Sequence, residues 1–378
     1  MFAEWAFWLA VGFVAYVYFG YPLLLALISA AFRRPVRKAP IEPFISLIVP
    51  AYNEERSIEE KILTALDLDY PDDKYEVIVV SDGSSDRTVE LAKKHEDGRR
   101  VKVIAFQKNR GKISALNEVT PAVQGEIVAY SDASSMPERS SLRMLAENFA
   151  DPEVGAVSGV YRLSQKDKAR LGRQEGVYWK YETFLKLKES EIDSILGCHG
   201  SLYAIRKALY PSPAASIIND DYVIPLRILH KGWRVAYEPR AVAFEEAEEM
   251  GGFGRRIRVM AGNFEQLAEI RGLLWPPRWM PLLFFISHKI GRLVAPLAMV
   301  AAVAANFFLL DQPLYRATLA AQAAFYLLAA VGTSEMLRPK ALRLPYYFTM
   351  INMAVLFGFY YAFVNRGKLK WKESGRQP

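Results

Sequence analysis

Hydrophobic positions along the chain fall into two regimes. From Trp5 to Phe32 there are 28 residues without a charge, bounded by Glu4 and by Arg33-Arg34. At 1.5 Å per residue a helix of that length reaches about 42 Å, enough to cross a bilayer with tilt, and Pro22 is its candidate kink. The stretch lacks the basic start, short apolar core and small-residue cleavage site of a removable leader, so it reads as a retained span. After a Pro- and Arg-containing linker at 33–43 the pattern changes to short apolar runs alternating with helix-period segments. Phe44 to Pro50, Val77 to Val80, Val101 to Phe106, Glu126 to Tyr130 and Val154 to Val160 read as strands; about 56–68, 85–95, 111–122 and 138–149 read as helices. Such alternation predicts an α/β fold with a mostly parallel, doubly wound sheet, whose ligands bind beyond the strand C-termini.

Polar clusters fall at those strand ends. Ala51-Tyr52-Asn53-Glu54 follows the first strand, Ser81-Asp82-Gly83-Ser84-Ser85-Asp86 the second and Ser131-Asp132-Ala133-Ser134-Ser135 the fourth. Residues 168–190 read as a charged helix with one apolar face, either solvated or lying on a membrane surface. The glutamates within 241–249 read as a solvated loop. Trp275-Pro276-Pro277-Arg278-Trp279 reads as an aromatic entry into the bilayer and Phe284 to Arg292 as an interfacial segment. Leu293 to Leu310, Leu314 to Met336 and Leu344 to Val364 read as three more spans. The chain thus divides into a span with a basic flank (1–34), an α/β domain (35–250), basic and interfacial helices (251–292), C-terminal spans (293–365) and a basic tail (366–378).

A 52% apolar composition fits a globular domain joined to spans better than either alone. The net charge of +7 lies largely beside the apolar runs, at Arg33, Arg34, Arg37, Lys38, Lys289, Arg292, Arg338, Lys340 and Arg343. That is a membrane-flanking pattern rather than a nucleic-acid surface, and the asymmetry around the first span places the α/β domain in the cytoplasm. Three later crossings would leave the basic tail on the other side, against the same bias. The lone Cys198 excludes an internal disulfide.

Two adjacent carboxylates, Asp220 and Asp221, open an apolar helical pattern and could supply a general base. Some thirty residues on, Arg255, Arg256 and Arg258 could clamp an anionic leaving group, with Arg255 and Arg258 on one helix face and Arg256 splayed from them. Between the acid and the fifth strand lies a second polar run, Gly197-Cys198-His199-Gly200-Ser201.

Taken in order, these segments resemble the membrane-integrated, processive-type family 2 glycosyltransferases, the group that includes cellulose, chitin and hyaluronan synthases. The resemblance covers about Phe44 to Trp275 and the layout of one span before and several after. It implies a GT-A fold, with Ala51, Tyr52, Asn53 and Glu54 near the nucleotide's base and ribose, Asp82 accepting hydrogen bonds from them, and Lys112 approaching the nucleotide. Asp132 would hold a divalent cation, Mg²⁺ or Mn²⁺, against the diphosphate; His199 and Gly200 would lie on the acceptor side. Asp221 would be the base, Asp220 its helper, and Arg258, flanked by Arg255 and Arg256, would meet the diphosphate. Two positions depart from the family's pattern: Ser134 stands where a second aspartate completes the metal motif, and Val259 where a tryptophan gives the acceptor sugar a platform.

The implied function is inverting transfer from a nucleotide sugar, UDP-linked, to a growing polysaccharide that leaves through the membrane part of an integral inner- or plasma-membrane protein. A membrane lipid as acceptor stays open, as does a non-catalytic scaffold that binds nucleotide sugar. Neither the sugar nor the oligomeric state is legible.

Overall fold

A computed structural model of the chain describes residues 1–163, 173–217, 219–245, 252–265, 267, 271–332 and 343–363. Eight strands form one sheet: β1 (Ile45–Ala51), β2 (Tyr75–Asp82), β3 (Val101–Phe106), β4 (Ile127–Tyr130), β5 (Ser135–Pro137), β6 (Val154–Leu163), β7 (Tyr203–Arg206) and β8 (Arg234–Glu245). Their order is β3-β2-β1-β4-β7-β6-β8-β5. The five expected strands are all present, and β3, β2, β1 and β4 run parallel. Beyond β4 the sheet becomes mixed: β7 is antiparallel to both its neighbours, β8 is parallel to β6, and β5 is antiparallel to β8. Strands β5 and β7 have three and four residues, too short to show a period. Strand β8 is interrupted in sequence by Glu238, Pro239 and Arg240, which hid it, and its end takes in Glu245 from the stretch expected to be a loop.

Period-two alternation splits the strands between two cores. Leu47, Val49, Val77 and Val79 pack with Ile62 of α2 (Ile58–Leu66) and with Leu142 and Leu145 of α5 (Ser141–Glu147). Helix α3 (Thr88–Lys93) lies between them in sequence. Ile48, Ile78 and Val80 pack on the other face with Leu116 and Val119 of α4 (Lys112–Ala122) and with Leu226 and Leu229 of α7 (Asp220–His230). That second core continues into Tyr21 and Leu25 of α1 (Phe2–Ala31) and Phe284 and Phe285 of α10 (Trp279–Phe307). The α/β domain and the apolar helices therefore share a core instead of meeting through a flexible joint.

Among the described residues α1, α10 and α11 (Pro313–Val331) are long and apolar enough to cross a membrane. Small residues bring the first two close, with Phe7 and Ala10 against Ala302 and Ala305. The fourth expected span forms α12 (Arg343–Phe363), which Tyr346, Tyr347, Asn352, Tyr360 and Tyr361 make less apolar. Two readings of the polar flanks change. Phe284 to Arg292 is not a separate interfacial piece but continues into α10, because its polar side chains have buried partners on α6 (Arg173–Ile192): His288 Nδ1 is 2.7 Å from Glu189 and Arg292 donates to Glu182 at 2.7 Å. Helix α6, in turn, is no simple amphipath, since it buries Glu182, Lys186 and Glu189 at a helical repeat. Likewise Arg33, Arg34, Arg37 and Lys38 pair with Glu191, Glu153, Asp151 and Glu238 of the α/β domain. The residues before 173 in the expected α6, Glu246, Glu248, Glu249, Arg338, Lys340 and the basic tail lie outside the described residues.

Candidate active site

Loops at the C-terminal ends of β1 and β2 are tied into one unit. Ala51 closes β1, and Asn53 takes a left-handed backbone, φ 56°, which Asn tolerates better than most residues. Its N–H donates to Ser84 Oγ at 3.1 Å, its Oδ1 accepts the Ser85 N–H at 2.8 Å, and the Glu54 N–H donates to Thr88 Oγ1 at 2.7 Å. Asn53 therefore does not cap α2, which starts only at Ile58. Gly83, at φ 74°, has the Asn109 backbone nitrogen 2.4 Å from where a Cβ would stand, so only glycine fits this turn. Beside it the Asp82 carboxylate accepts N–H bonds from Arg110 (3.1 Å) and Gly111 (2.7 Å). Asp82 thus fixes the turn that starts α4 and delivers Lys112, the first residue of that helix.

Lys112 joins the two halves of the cleft. Its ammonium lies 2.8 Å from Asp132 Oδ1, after β4, and 3.1 Å from Asp220 Oδ1, at the start of α7. Burial would lower its pKa, but the carboxylates of Asp132 and Asp220 outweigh that and hold it above the ordinary lysine value. Asp221 accepts the Gly200 N–H at 3.0 Å, and its own carbonyl accepts the Cys198 N–H at 2.8 Å. A Cβ on Gly200 would lie 3.0 Å from Asp132 Oδ2 and 3.4 Å from Asp221 Oδ2, so this glycine occupies the space between the two carboxylates. Burial, reinforced by neighbouring Asp220, pushes Asp221 up to about 6 against the pull of Lys112. Neither aspartate at the start of α7 is spent on capping the helix. Gly200→Ala is expected to keep the fold and lower kcat at least tenfold, because its methyl would part the carboxylates; turnover within twofold of wild type would show that the gap is not used.

His199 faces the opposite side, toward α6. Its N–H donates to Ser158 Oγ at 3.0 Å, and its Nε2 lies 3.2 Å from the Lys186 ammonium, which also donates to the Gly197 carbonyl at 3.1 Å. Burial and then Lys186 hold the ring well below its usual pKa, so it is neutral and accepts at Nε2. Burial pushes the Cys198 thiol up to about 12, which removes it as a nucleophile at neutral pH.

Arg255, Arg256 and Arg258 lie on α8 (Gly252–Glu265), and their side chains are outside the described residues. The helix itself is well placed. Asn219, the residue before the two aspartates, donates to the Val259 carbonyl at 3.4 Å and to Asn263 Oδ1 at 3.3 Å; Gly262 leaves the room for it, with only 2.8 Å from a Cβ position to Asn219 Nδ2. On its other side α8 is held by α12, where Gly358 admits Met260 and the Phe264 ring meets Phe359 and Phe363. The short helix α9 (Arg271–Leu274) then leads to α10.

Hard anionic oxygen is the donor chemistry a divalent cation requires, and Asp132 offers it from a side chain that is 36% exposed. Ser134 is turned away, donating to Glu245 at 2.9 Å. Among the described residues no three acidic, His or Cys side chains gather as a ready cage. The set fits a cation completed by a ligand's phosphate oxygens, with Asp132 as its protein anchor.

Two residues went unnoticed in the sequence. Lys61 is fully buried under the Ser131–Ser135 loop, and burial pushes it down to about 7 despite Asp132 and Glu245. Its signal was present: it stands in the apolar stripe of α2, between Ile58 and Ile62. Lys186 was hidden among the many charges of α6.

The sequence profile of Glycosyl transferase family 2 matches residues 46–211. The poly-beta-1,6-N-acetyl-D-glucosamine synthase of Staphylococcus aureus (strain COL) is 28% identical over 230 residues, which cover 59% of this chain and 55% of that one. The enzyme of the same name from Staphylococcus epidermidis is 27% identical over an equal span. This chain therefore spans about half the length of these curated relatives. A solved mannosyltransferase, PcManGT from Pyrobaculum calidifontis in complex with GDP-Man and Mn²⁺, superposes with a TM-score of 0.73 at 26% identity, over 94% of this chain and 98% of that one. The mixed sheet with its polar loops at one edge and the superposition on the mannosyltransferase mark a GT-A-like fold, and residues 46–211 carry the family 2 glycosyltransferase profile.

Proposed function

We propose that the protein transfers a sugar, with inversion, from a nucleotide sugar to a growing polysaccharide at a membrane. The observation that carries this reading is the pairing of Lys112 with both Asp132 and Asp220, which brings the donor-side loop and the acceptor-side helix start to a single cleft. Residues 51–54 and Asp82 frame the nucleotide end; Asp132 and Lys112 face the diphosphate. A divalent cation, Mn²⁺ or Mg²⁺, anchored on Asp132 would neutralise phosphate charge there. On the acceptor side Asp221 takes the hydroxyl proton as that oxygen bonds to the anomeric carbon. The bond from that carbon to the diphosphate breaks, and the electron pair leaves on the phosphate oxygen. Lys112 supplies positive charge beside that oxygen, and α8 presents Arg255, Arg256 and Arg258 from a backbone held against Asn219. Gly200 lines the acceptor side, with His199 behind it against Lys186, and the catalytic domain faces the cytoplasm.

The poly-N-acetylglucosamine synthases support a polymer acceptor and N-acetylglucosamine as the first sugar to try. The mannosyltransferase makes GDP-mannose the rival donor. Val259, 37% exposed and offering no aromatic face on which an acceptor sugar could stack, favours a lipid acceptor as the second reading. Purified protein in lipid, given radiolabelled UDP-sugars and GDP-mannose with Mn²⁺, separates them: label retained at the origin of a thin-layer plate marks polymer, and label in an organic extract marks lipid. Nucleotide binding with no turnover of any donor would leave a non-catalytic scaffold and overturn the enzyme.

The raised pKa of Asp221 gives this base a signature in pH. As a base it must be ionised, so kcat/KM should fall about tenfold per pH unit below about 6. Stability moves the other way. A carboxyl whose folded pKa lies above its unfolded value favours folding when protonated, so this group's destabilising effect is present above pH 6 and disappears as pH falls from 6 toward 4. Activity with no acid limb between pH 5 and 7 would remove Asp221 from the role.

A further inference from the structure

The loop that carries Asp132 is held from beneath by a charge that the chemistry itself does not use. Lys61 projects from the buried side of α2, a helix whose other inward residues, Ile58, Ile62 and Ala65, are apolar. A lysine among them costs desolvation energy, and the helix would pack more simply with leucine there. Its ammonium donates to Ser131 Oγ at 2.5 Å and to the Ser135 backbone carbonyl, the two ends of the five-residue loop. Ser131 Oγ passes the connection on, donating to the Ser201 carbonyl at 2.5 Å. Ser201 follows Gly200, whose carbonyl accepts the Asp132 N–H at 3.3 Å and whose N–H donates to Asp221. Lys61 is thus connected both to the loop bearing Asp132 and to the glycine that separates Asp132 from Asp221.

We infer that Lys61 is a positioning residue for the donor site: it pins both ends of the Ser131–Ser135 loop so that the Asp132 carboxylate meets the cation and diphosphate of a bound nucleotide. This rests on the reading of the cleft as a nucleotide-sugar site. Ser134 faces Glu245, so Asp132 is the one side chain of its loop offered to the cation and its placement decides how well the site holds one. Lys61 does not touch the ligand; it acts through Asp132.

Calorimetry of UDP and GDP binding with and without Mn²⁺ tests this in the full chain in lipid. Lys61→Met, close in volume and uncharged, is expected to weaken Mn²⁺-dependent binding of the preferred nucleotide at least tenfold while changing metal-free binding less than threefold. In an Asp132→Ala background the same substitution is expected to add less than a twofold further loss, because its effect runs through that carboxylate. General loosening of the fold would instead lower both modes of binding and add fully to Asp132→Ala. Should Lys61→Met not fold, Lys61→Gln, which can still donate to one loop partner, carries the same cycle with a smaller expected loss of at least threefold. Mn²⁺-dependent binding within twofold of wild type in the folded variant, or full additivity with Asp132→Ala, would overturn the inference. A wild-type protein that binds neither nucleotide would overturn the site reading itself and this inference with it.

Discussion

Asp221→Asn is expected to lower kcat by at least about a hundredfold while leaving nucleotide binding within threefold of wild type. The size follows from losing a general base positioned in the cleft, which costs about 10²–10⁴ in rate. The selectivity follows from geometry: an asparagine Oδ1 can still accept the Gly200 N–H that Asp221 accepts at 3.0 Å, so the loop between His199 and Ser201 keeps its anchor. The nucleotide end of the cleft is built from β1, β2 and the turn before α4, which the substitution does not touch. Asparagine also removes one of two adjacent carboxylates that burial and mutual repulsion disfavour, so the variant should melt no lower than wild type at pH 7. Single-turnover assays with saturating donor, nucleotide calorimetry and thermal melts read the three effects. Near-normal turnover would remove Asp221 as base, and equal loss of nucleotide binding would make its role structural.

How far the sequence discloses this site depends on what each residue's neighbours do. The parallel half of the sheet was legible because β1 and β2 are largely apolar runs ending in polar clusters, a local signal with a fixed place in the fold. The mixed half was legible only in β6: β7 has four residues and β8 is broken by charged residues and a proline whose partners are remote in sequence. Glu238, for instance, meets Lys38, 200 positions away. Asp132, Asp220 and Asp221 could be picked out by motif, but nothing local says that Lys112 would bridge Asp132 to Asp220 or that Gly200 would stand between Asp132 and Asp221. Those are consequences of the crossing of β4, α4 and α7. Lys61 and the buried face of α6 escaped for the opposite reason. A charged residue at a helical repeat reads as solvent-facing, and only the tertiary partners of Glu182, Lys186 and Glu189 turn that face inward. The same remote partners explain why the cations flanking α1 and α10 read as lipid-facing in sequence and are ion-paired to the α/β domain in the fold.

Lys112→Met should be nearly as damaging to catalysis as loss of the base, but with a different signature. Methionine fills a similar volume, yet Asp132 and Asp220 lose the ammonium they share at 2.8 and 3.1 Å, and Asp221 loses a cation that restrains its pKa. Leaving partly buried carboxylates without their counter-charge destabilises the fold by about 3–5 kcal/mol, so the melting temperature should fall, in contrast to Asp221→Asn. Removing one preorganised charge from the path of the leaving diphosphate costs about 10²–10³ in kcat. Nucleotide affinity should fall as well, since negative phosphate would enter a cleft of net negative charge. Because Asp221 then ionises at a higher pH, the acid limb of kcat/KM should move upward from about 6. Excess Mn²⁺ should recover part of the lost activity by neutralising the same carboxylates, which a purely structural defect would not allow. Measured across pH and Mn²⁺ concentration, kcat/KM within threefold of wild type, or an acid limb that stays in place, would show that the cleft does not depend on Lys112 and that donor and acceptor sides are coupled some other way.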